Sequence, residues 1–142
     1  MDYTIDANVV IKVVVDEDYS SEARMLFADY GNGKFNIYAP RILIFEVGSA
    51  LYKLVKLNLI SKEYSLNVLG KLSVIPFAFI DLDSEELVKT LARSLEARTS
   101  FYDAIYITVS QKTNSMLVTA DEDMVKKART YTKIMHVVNY KK

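Results

Sequence analysis

Runs of apolar residues recur along this chain, and their period switches between that of a strand and that of a helix. The opening "YTID" (3–6) is a short apolar strand ending in an acid. In "ANVVIKVVV" (7–15) the β-branched residues favour strand. Asp6 and Asn8 are residues that begin helices, so a helix is expected there. "SSEARMLFADYGNGK" (20–34) reads as a helix with Ser20 or Ser21 as its cap and Gly31 to Gly33 as its stop. A strand "FNIYA" (35–39) follows. A long helix then runs from Pro40 through "PRILIFEVGSALYKLVKLNL" (40–59), with Pro in its first turn. Ser61 and Glu63 open a further helix, "SKEYSLNVLGKL" (61–72), ahead of the strand "IPFAFIDL" (75–82). The second half repeats the alternation. An amphipathic helix (83–97) has acids in its first turn, where the helix dipole favours them. "SFYDAIYITVSQK" (100–112) is apolar almost all round, which means burial. The strand "SMLVTA" (115–120), the helix "DEDMVKKARTY" (121–131) and a last strand "IMHVV" (134–138) complete the series.

Strands separated by helices need crossover connections, which give a parallel sheet with helices on both faces. Ligands of such sheets bind beyond the carboxyl ends of the strands, where the strand order switches. Two strands reach that edge at an acid: Asp6 after "YTI" and Asp121 after "LVTA". The chain has 142 residues with 4 Gly and 2 Pro, and neither a repeat nor a linker interrupts it, so one domain over 1–142 is expected.

Charge and composition narrow the chemistry. Lys and Arg number 18 against 18 Asp and Glu, so the chain is not one that coats nucleic acid by bulk electrostatics. Without Cys there is no disulfide framework and no thiolate metal site, and the lone His136 lies in the last strand, where a satisfied core His is the simpler reading. No apolar run approaches the ~18–20 residues of a membrane span. Asp2 and Asp6 stand where a secretion signal would be basic and then apolar, so the cytoplasm is the expected location.

Four acids stand out, and each has a plain structural alternative. Asp6 and Asp121 could simply cap helices. Asp103 lies among Phe101, Tyr102, Ala104, Ile105 and Tyr106, where a charge must be paired, hydrogen-bonded or metal-bound; Ser100-x-x-Asp103 also resembles a capping box. Glu46 lies between Phe45 and Val47, with Gly48 and Ser49 leaving room beside it; it could equally face solvent. If the topology gathers them, their mutual repulsion raises each pKa, and a divalent cation relieves it. Oxygen ligands alone suit a hard ion, Mg²⁺ or Mn²⁺. Asp123 is a further acid in the same turn as Asp121.

The pieces "IDANVVI", "APRILIFEVGSAL", "SFYDAIYITVS" and "LVTADEDM", in this order, resemble the PIN-domain ribonucleases, most of all the VapC-type toxins of toxin–antitoxin pairs. The resemblance implies a three-layer α/β/α sandwich with a parallel sheet in strand order 3-2-1-4-5. It places the acid tetrad on Asp6, Glu46, Asp103 and Asp121, with Asn8 and Thr119 as polar groups orienting the carboxylates. It implies a Mg²⁺- or Mn²⁺-dependent endoribonuclease, a homodimer, and inhibition by a small VapB-type antitoxin. The acids would hold one or two ions directly or through water. Single-stranded RNA is gripped by cationic grooves and stacking aromatics, for which Arg41, Lys53, Arg98, Lys126 and Tyr102 are candidates near the motif helices, with ordinary solvated surface as the alternative for each. Two other classes place acids similarly: a phosphoryl-transfer module of phosphatase or receiver type, and a non-catalytic dimeric binding domain. Asn8, standing where a phosphatase of the D-x-D kind needs its second acid, speaks against the former.

Overall fold

The computed structural model describes residues 1–141. Its sheet is built from β1 (Tyr3–Ile5), β2 (Ile37–Ala39), β3 (Ala78–Phe79), β4 (Met116–Thr119) and β5 (Ile134–His136). All neighbours are parallel, in the order β3-β2-β1-β4-β5. This is the 3-2-1-4-5 order, and it differs from the 2-1-3-4-5 order of receiver-like folds. β1 and β4 lie at the centre of the sheet, covered on both faces, and read as nearly continuous apolar runs for that reason.

The helices are α1 (Ala7–Val14), α2 (Ser20–Gly31), α3 (Ile42–Lys56), α4 (Lys62–Leu72), α5 (Ser84–Ala97), α6 (Phe101–Thr113) and α7 (Glu122–Ala128). The chain moves outward from β1 through β2 to β3, then crosses back to β4 and β5. With right-handed crossovers these opposite directions put α1 to α4 on one face and α5 to α7 on the other. The result is a three-layer α/β/α sandwich. Its core joins Ile5, Val9, Leu26, Ile37, Leu43, Val47, Ile107, Leu117 and Val118, all fully buried.

Several boundaries differ from the sequence reading. The helix expected over 7–15 is present as Ala7–Val14, with Asp6 as its cap and Val9 and Val10 buried on one face, and it stops one residue early because Val15 is extended. Neither Ser20 nor Ser21 caps α2. Tyr19 holds that position in a left-handed conformation (φ 69°), while the Ser20 hydroxyl donates to the Val15 carbonyl (2.7 Å) and accepts from the Glu17 amide (3.0 Å). The strand expected over 75–82 shrinks to Ala78–Phe79 at the sheet edge, and the last strand gives way to a 3₁₀ turn at Val137–Asn139. The last helix stops at Ala128 rather than Tyr131.

α5 is turned inside out. It buries Thr90 and Ser94 against α6, and leaves Leu87, Val88, Leu91 and Leu95 exposed. The Thr90 hydroxyl meets that of Thr108 at 2.7 Å, so small polar side chains satisfy each other where the two helices approach.

Candidate active site

The switch in strand order falls between β1 and β4, and the acids collect there. Asp6 follows β1 directly. Its amide still donates to Val118 of β4 (3.3 Å), and its side chain is 3% exposed. One carboxylate oxygen caps α1 by accepting from the Val9 amide (3.2 Å); the other accepts from the Thr119 hydroxyl. That hydroxyl in turn accepts from the Asp121 amide (3.1 Å). Thr119, the last residue of β4, therefore ties the ends of two adjacent strands together through one oxygen. Burial pushes the Asp6 carboxyl up to about 7. The Thr119 hydroxyl and the Val9 amide oppose the rise, and the charge of Asp103 adds to it.

Asp121 caps α7, its Oδ1 accepting from the amides of Asp123 (2.9 Å) and Met124 (3.4 Å). The cap and a functional role are compatible, because the cap occupies one carboxylate oxygen and leaves the other.

Asp103 enters from α6. Ser100 caps this helix by accepting from the Asp103 amide (3.0 Å), while the return bond of a capping box is not made. Burial raises the Asp103 carboxyl, the nearby Ser100 hydroxyl opposes this, and the charges of Asp121 and Asp123 raise it further while Lys127 lowers it. Glu46 reaches in from α3, half-buried. Its Oε1 accepts from the Tyr106 hydroxyl at 2.6 Å, and burial raises its carboxyl as well. Asp6, Glu46 and Asp121 all lie within the electrostatic reach of Asp103. The two helical layers thus meet over the switch point with their acids facing one another.

The remaining predicted residues are placed differently. Asp123 is exposed and paired with Lys127 (2.8 Å), whose ammonium also donates to the Arg98 carbonyl (3.0 Å). Asn8 is exposed in the first turn of α1; its backbone amide favours the Asp6 carboxylate, and its side chain makes no hydrogen bond within the described chain. Lys53, Arg98, Lys126 and Tyr102 are exposed, and Arg41, also exposed, is engaged with Asp81 (3.1 Å) and lies over the Phe79 ring. Sequence reading passed over Tyr106 and Lys127. Both were within reach of a simple rule, since Tyr106 lies three residues after Asp103 and Lys127 four after Asp123, spacings that share a helix face.

Among the described residues, no three Asp, Glu or His side chains stand close enough to be direct ligands of one ion. The donors are nevertheless all hard oxygens, and neighbouring negative charge adds to the rise of the Asp6, Glu46 and Asp103 carboxyls. Mg²⁺ commonly keeps several of its waters and takes only one or two carboxylates. The residues present fit an ion held largely through water better than a closed cage.

A parallel α/β sandwich with acids gathered at its switch point defines the class of protein. The chain belongs to the PIN-domain family, a family of nucleases; the model of that family matches residues 3–130. Among solved structures it is similar to PAE2754 from Pyrobaculum aerophilum, with 22% identity, a TM-score of 0.66, and coverage of 97% of this chain and 92% of that one. FitAcB from Neisseria gonorrhoeae aligns at 9% identity with a TM-score of 0.67, covering 96% and 99% of the two chains. VapBC2 from Rickettsia felis, bound to a DNA fragment from their promoter, aligns at 13% identity with a TM-score of 0.64, covering 96% and 98%. At these identities the likeness is one of fold. No curated protein matches the sequence.

Proposed function

We propose that this protein is a metal-dependent endoribonuclease that hydrolyses RNA phosphodiester bonds and serves as the toxin of a VapBC-type toxin–antitoxin pair. One observation carries the reading: Asp6 and Asp121 are tied through Thr119 at the switch point, with Glu46 and Asp103 brought to the same edge from opposite layers.

Asp6, Glu46, Asp103 and Asp121 would hold Mg²⁺ or Mn²⁺. The ion, when bound, supplies Lewis acidity, lowering the pKa of a bound water and offsetting charge that builds on the phosphoryl oxygens. Asp6 is the fixed member, since Thr119 and the α1 amides lock its orientation. The carboxyl of Asp103 accepts no backbone amide, which leaves it free to orient the attacking water. Tyr102, 56% exposed and next to Asp103, is placed to stack on a base of single-stranded RNA. Lys53, Arg98 and Lys126, at the surface, supply charge for the backbone.

Two further observations support the partners. An apolar groove of about 260 Å³ lies between α1, α2 and α4, lined by Val10, Val13, Phe27, Val68, Leu72 and Ile75. It suits the apolar face of an antitoxin helix. The exposed stripe of α5 suits a second copy of the chain. FitAcB and VapBC2, both similar in fold, are consistent with this pairing. Among the described residues no helix is long and apolar enough to cross a membrane.

The test is cleavage of RNA by wild type, Asp6→Asn and Asp103→Asn in Mg²⁺ and in EDTA. Wild type is expected to cut only with the metal, and each variant to lose at least 100-fold in rate while keeping its circular dichroism spectrum. Undiminished cutting by either variant, or by wild type in EDTA, overturns the proposal.

A further inference from the structure

We infer that Tyr106 is a positioning residue for the metal site, holding Glu46 in the acid cluster through its phenolic hydroxyl. The inference rests on the proposed metal-binding role of the acids.

Tyr106 is the largest of the fully buried side chains, 1% exposed, in a helix whose neighbouring positions are almost all apolar. A Phe would fill the same space without bringing a hydroxyl into the interior. A buried hydroxyl needs a partner. The short hydroxyls of Thr108 and Ser110 in this same helix turn back to carbonyls of the preceding turn, Ala104 (3.1 Å) and Ile107 (2.8 Å), but a phenol at the end of a rigid ring cannot, and its acceptor must come from another element. Tyr106 reaches outward instead, to Glu46 Oε1 at 2.6 Å, a residue 60 positions away on α3. The bond is short, as a hydroxyl donating to a carboxylate should be.

Its place gives it a function beyond satisfying the phenol. Glu46 has the least constrained attachment of the four acids. Asp6 and Asp121 are fixed by caps at strand ends, and Asp103 sits beside its own cap. Glu46 lies in mid-helix on a half-exposed face, with exposed Phe45 and Ser49 beside it, and no backbone amide holds its carboxylate. A free Glu side chain on such a face samples several rotamers, most of them in solvent. Tyr106 shares a helix face with Asp103, three residues earlier, and so anchors Glu46 on the side where Asp103 lies. With Oε1 engaged, Oε2 is the oxygen left for an ion or its water. Partners of this kind behind a ligand are worth 10–100-fold in metal affinity elsewhere.

Calorimetric titration with Mn²⁺ tests the inference on wild type, Tyr106→Phe, Glu46→Gln and the double variant, with melting temperatures recorded alongside. The expected result is a Kd weakened about 10-fold or more by Tyr106→Phe, with no further weakening when it is added to Glu46→Gln. A hydroxyl that merely staples α6 to α3 would lower the melting temperature and leave the Kd unmoved. Wild-type affinity in Tyr106→Phe, or equal added loss in the Glu46→Gln background, overturns the inference while leaving the metal reading standing. Failure of wild type to take up Mn²⁺ overturns both.

Discussion

At Asp6 two demands of folding oppose each other. Capping α1 favours a carboxylate there, and burial penalises its charge. Burial prevails, so the carboxyl titrates at about 7 in the folded chain against 3.8 for an ordinary Asp. The folded state therefore holds its proton more tightly than the unfolded state. Below about pH 4 both forms are protonated and nothing is lost; between about 4 and 7 stability falls as pH rises, and above 7 the whole penalty is present. Ionising so buried a carboxyl costs the folded state roughly 4 kcal/mol, and Glu46 and Asp103 are raised in the same direction. The metal-free protein is expected to melt several degrees lower at pH 8 than at pH 5. Asp6→Asn should remove most of that slope and be the more stable protein at pH 8, by about 2–4 kcal/mol. Millimolar Mg²⁺ should raise the melting temperature of wild type at pH 8 and leave that of Asp6→Asn unchanged. Scanning calorimetry in EDTA and in Mg²⁺ checks all of this, and a melting temperature indifferent to pH would refute it. That Asp6 follows the first strand and opens a helix was legible in the sequence. The Thr119 bridge between Asp6 and Asp121 was not, since nothing local shows that a hydroxyl 113 positions away faces Asp6.

At the level of elements, short helices depend on their caps. α7 has only seven residues, and Asp121 satisfies two of its free amides. Asp121→Ala should lower stability by about 1 kcal/mol, whereas Asp121→Asn should keep the cap. Both should lose RNA cleavage if the charge is what the reaction needs. Urea melts set beside rate measurements separate the two roles; an Asn variant that cleaves at the wild-type rate would leave Asp121 as a cap alone. Helix positions were readable because caps and periodicity are short-range signals. The starts of α4, α5 and α6 lie at Ser61, Asp83 and Ser100 for that reason. The exception at α2 has the same logic in reverse: Ser20 is bonded into the preceding loop, and tertiary packing holds Tyr19 in a conformation its sequence does not favour. Tyr19 lies against the His136 ring (centroids 4.7 Å apart) and beneath the Lys12 ammonium (5.6 Å from its ring).

For the molecule as a whole, α5 raises the question of what covers it. Its amphipathic pattern shows an apolar stripe but not which way the stripe faces. In the folded chain Leu91 is 50% exposed and Leu95 73%. Contiguous exposed apolar surface is characteristic of interaction sites. Under the proposed homodimer, two α5 helices packed antiparallel would bring Glu85 and Glu86 at the start of one toward Arg98 at the end of the other. Leu91→Glu is expected to convert a dimer to a monomer in light scattering at micromolar concentration. An unchanged mass, either monomeric before the substitution or dimeric after it, would exclude this surface.

By itself the sequence determined the order of strands and helices and that Asp6 and Asp121 stand where a strand passes into a helix, because capping and apolar period act over a few residues. Only the tertiary structure decided which acids share an edge, that Tyr106 and Thr119 hold two of them, and that α5 shows its leucines to solvent. The Tyr106 and Thr119 contacts join residues 60 or more apart, and the orientation of α5 is set by its packing on α6 at Thr90 and Thr108; the local pattern of neither partner carries any trace of the other.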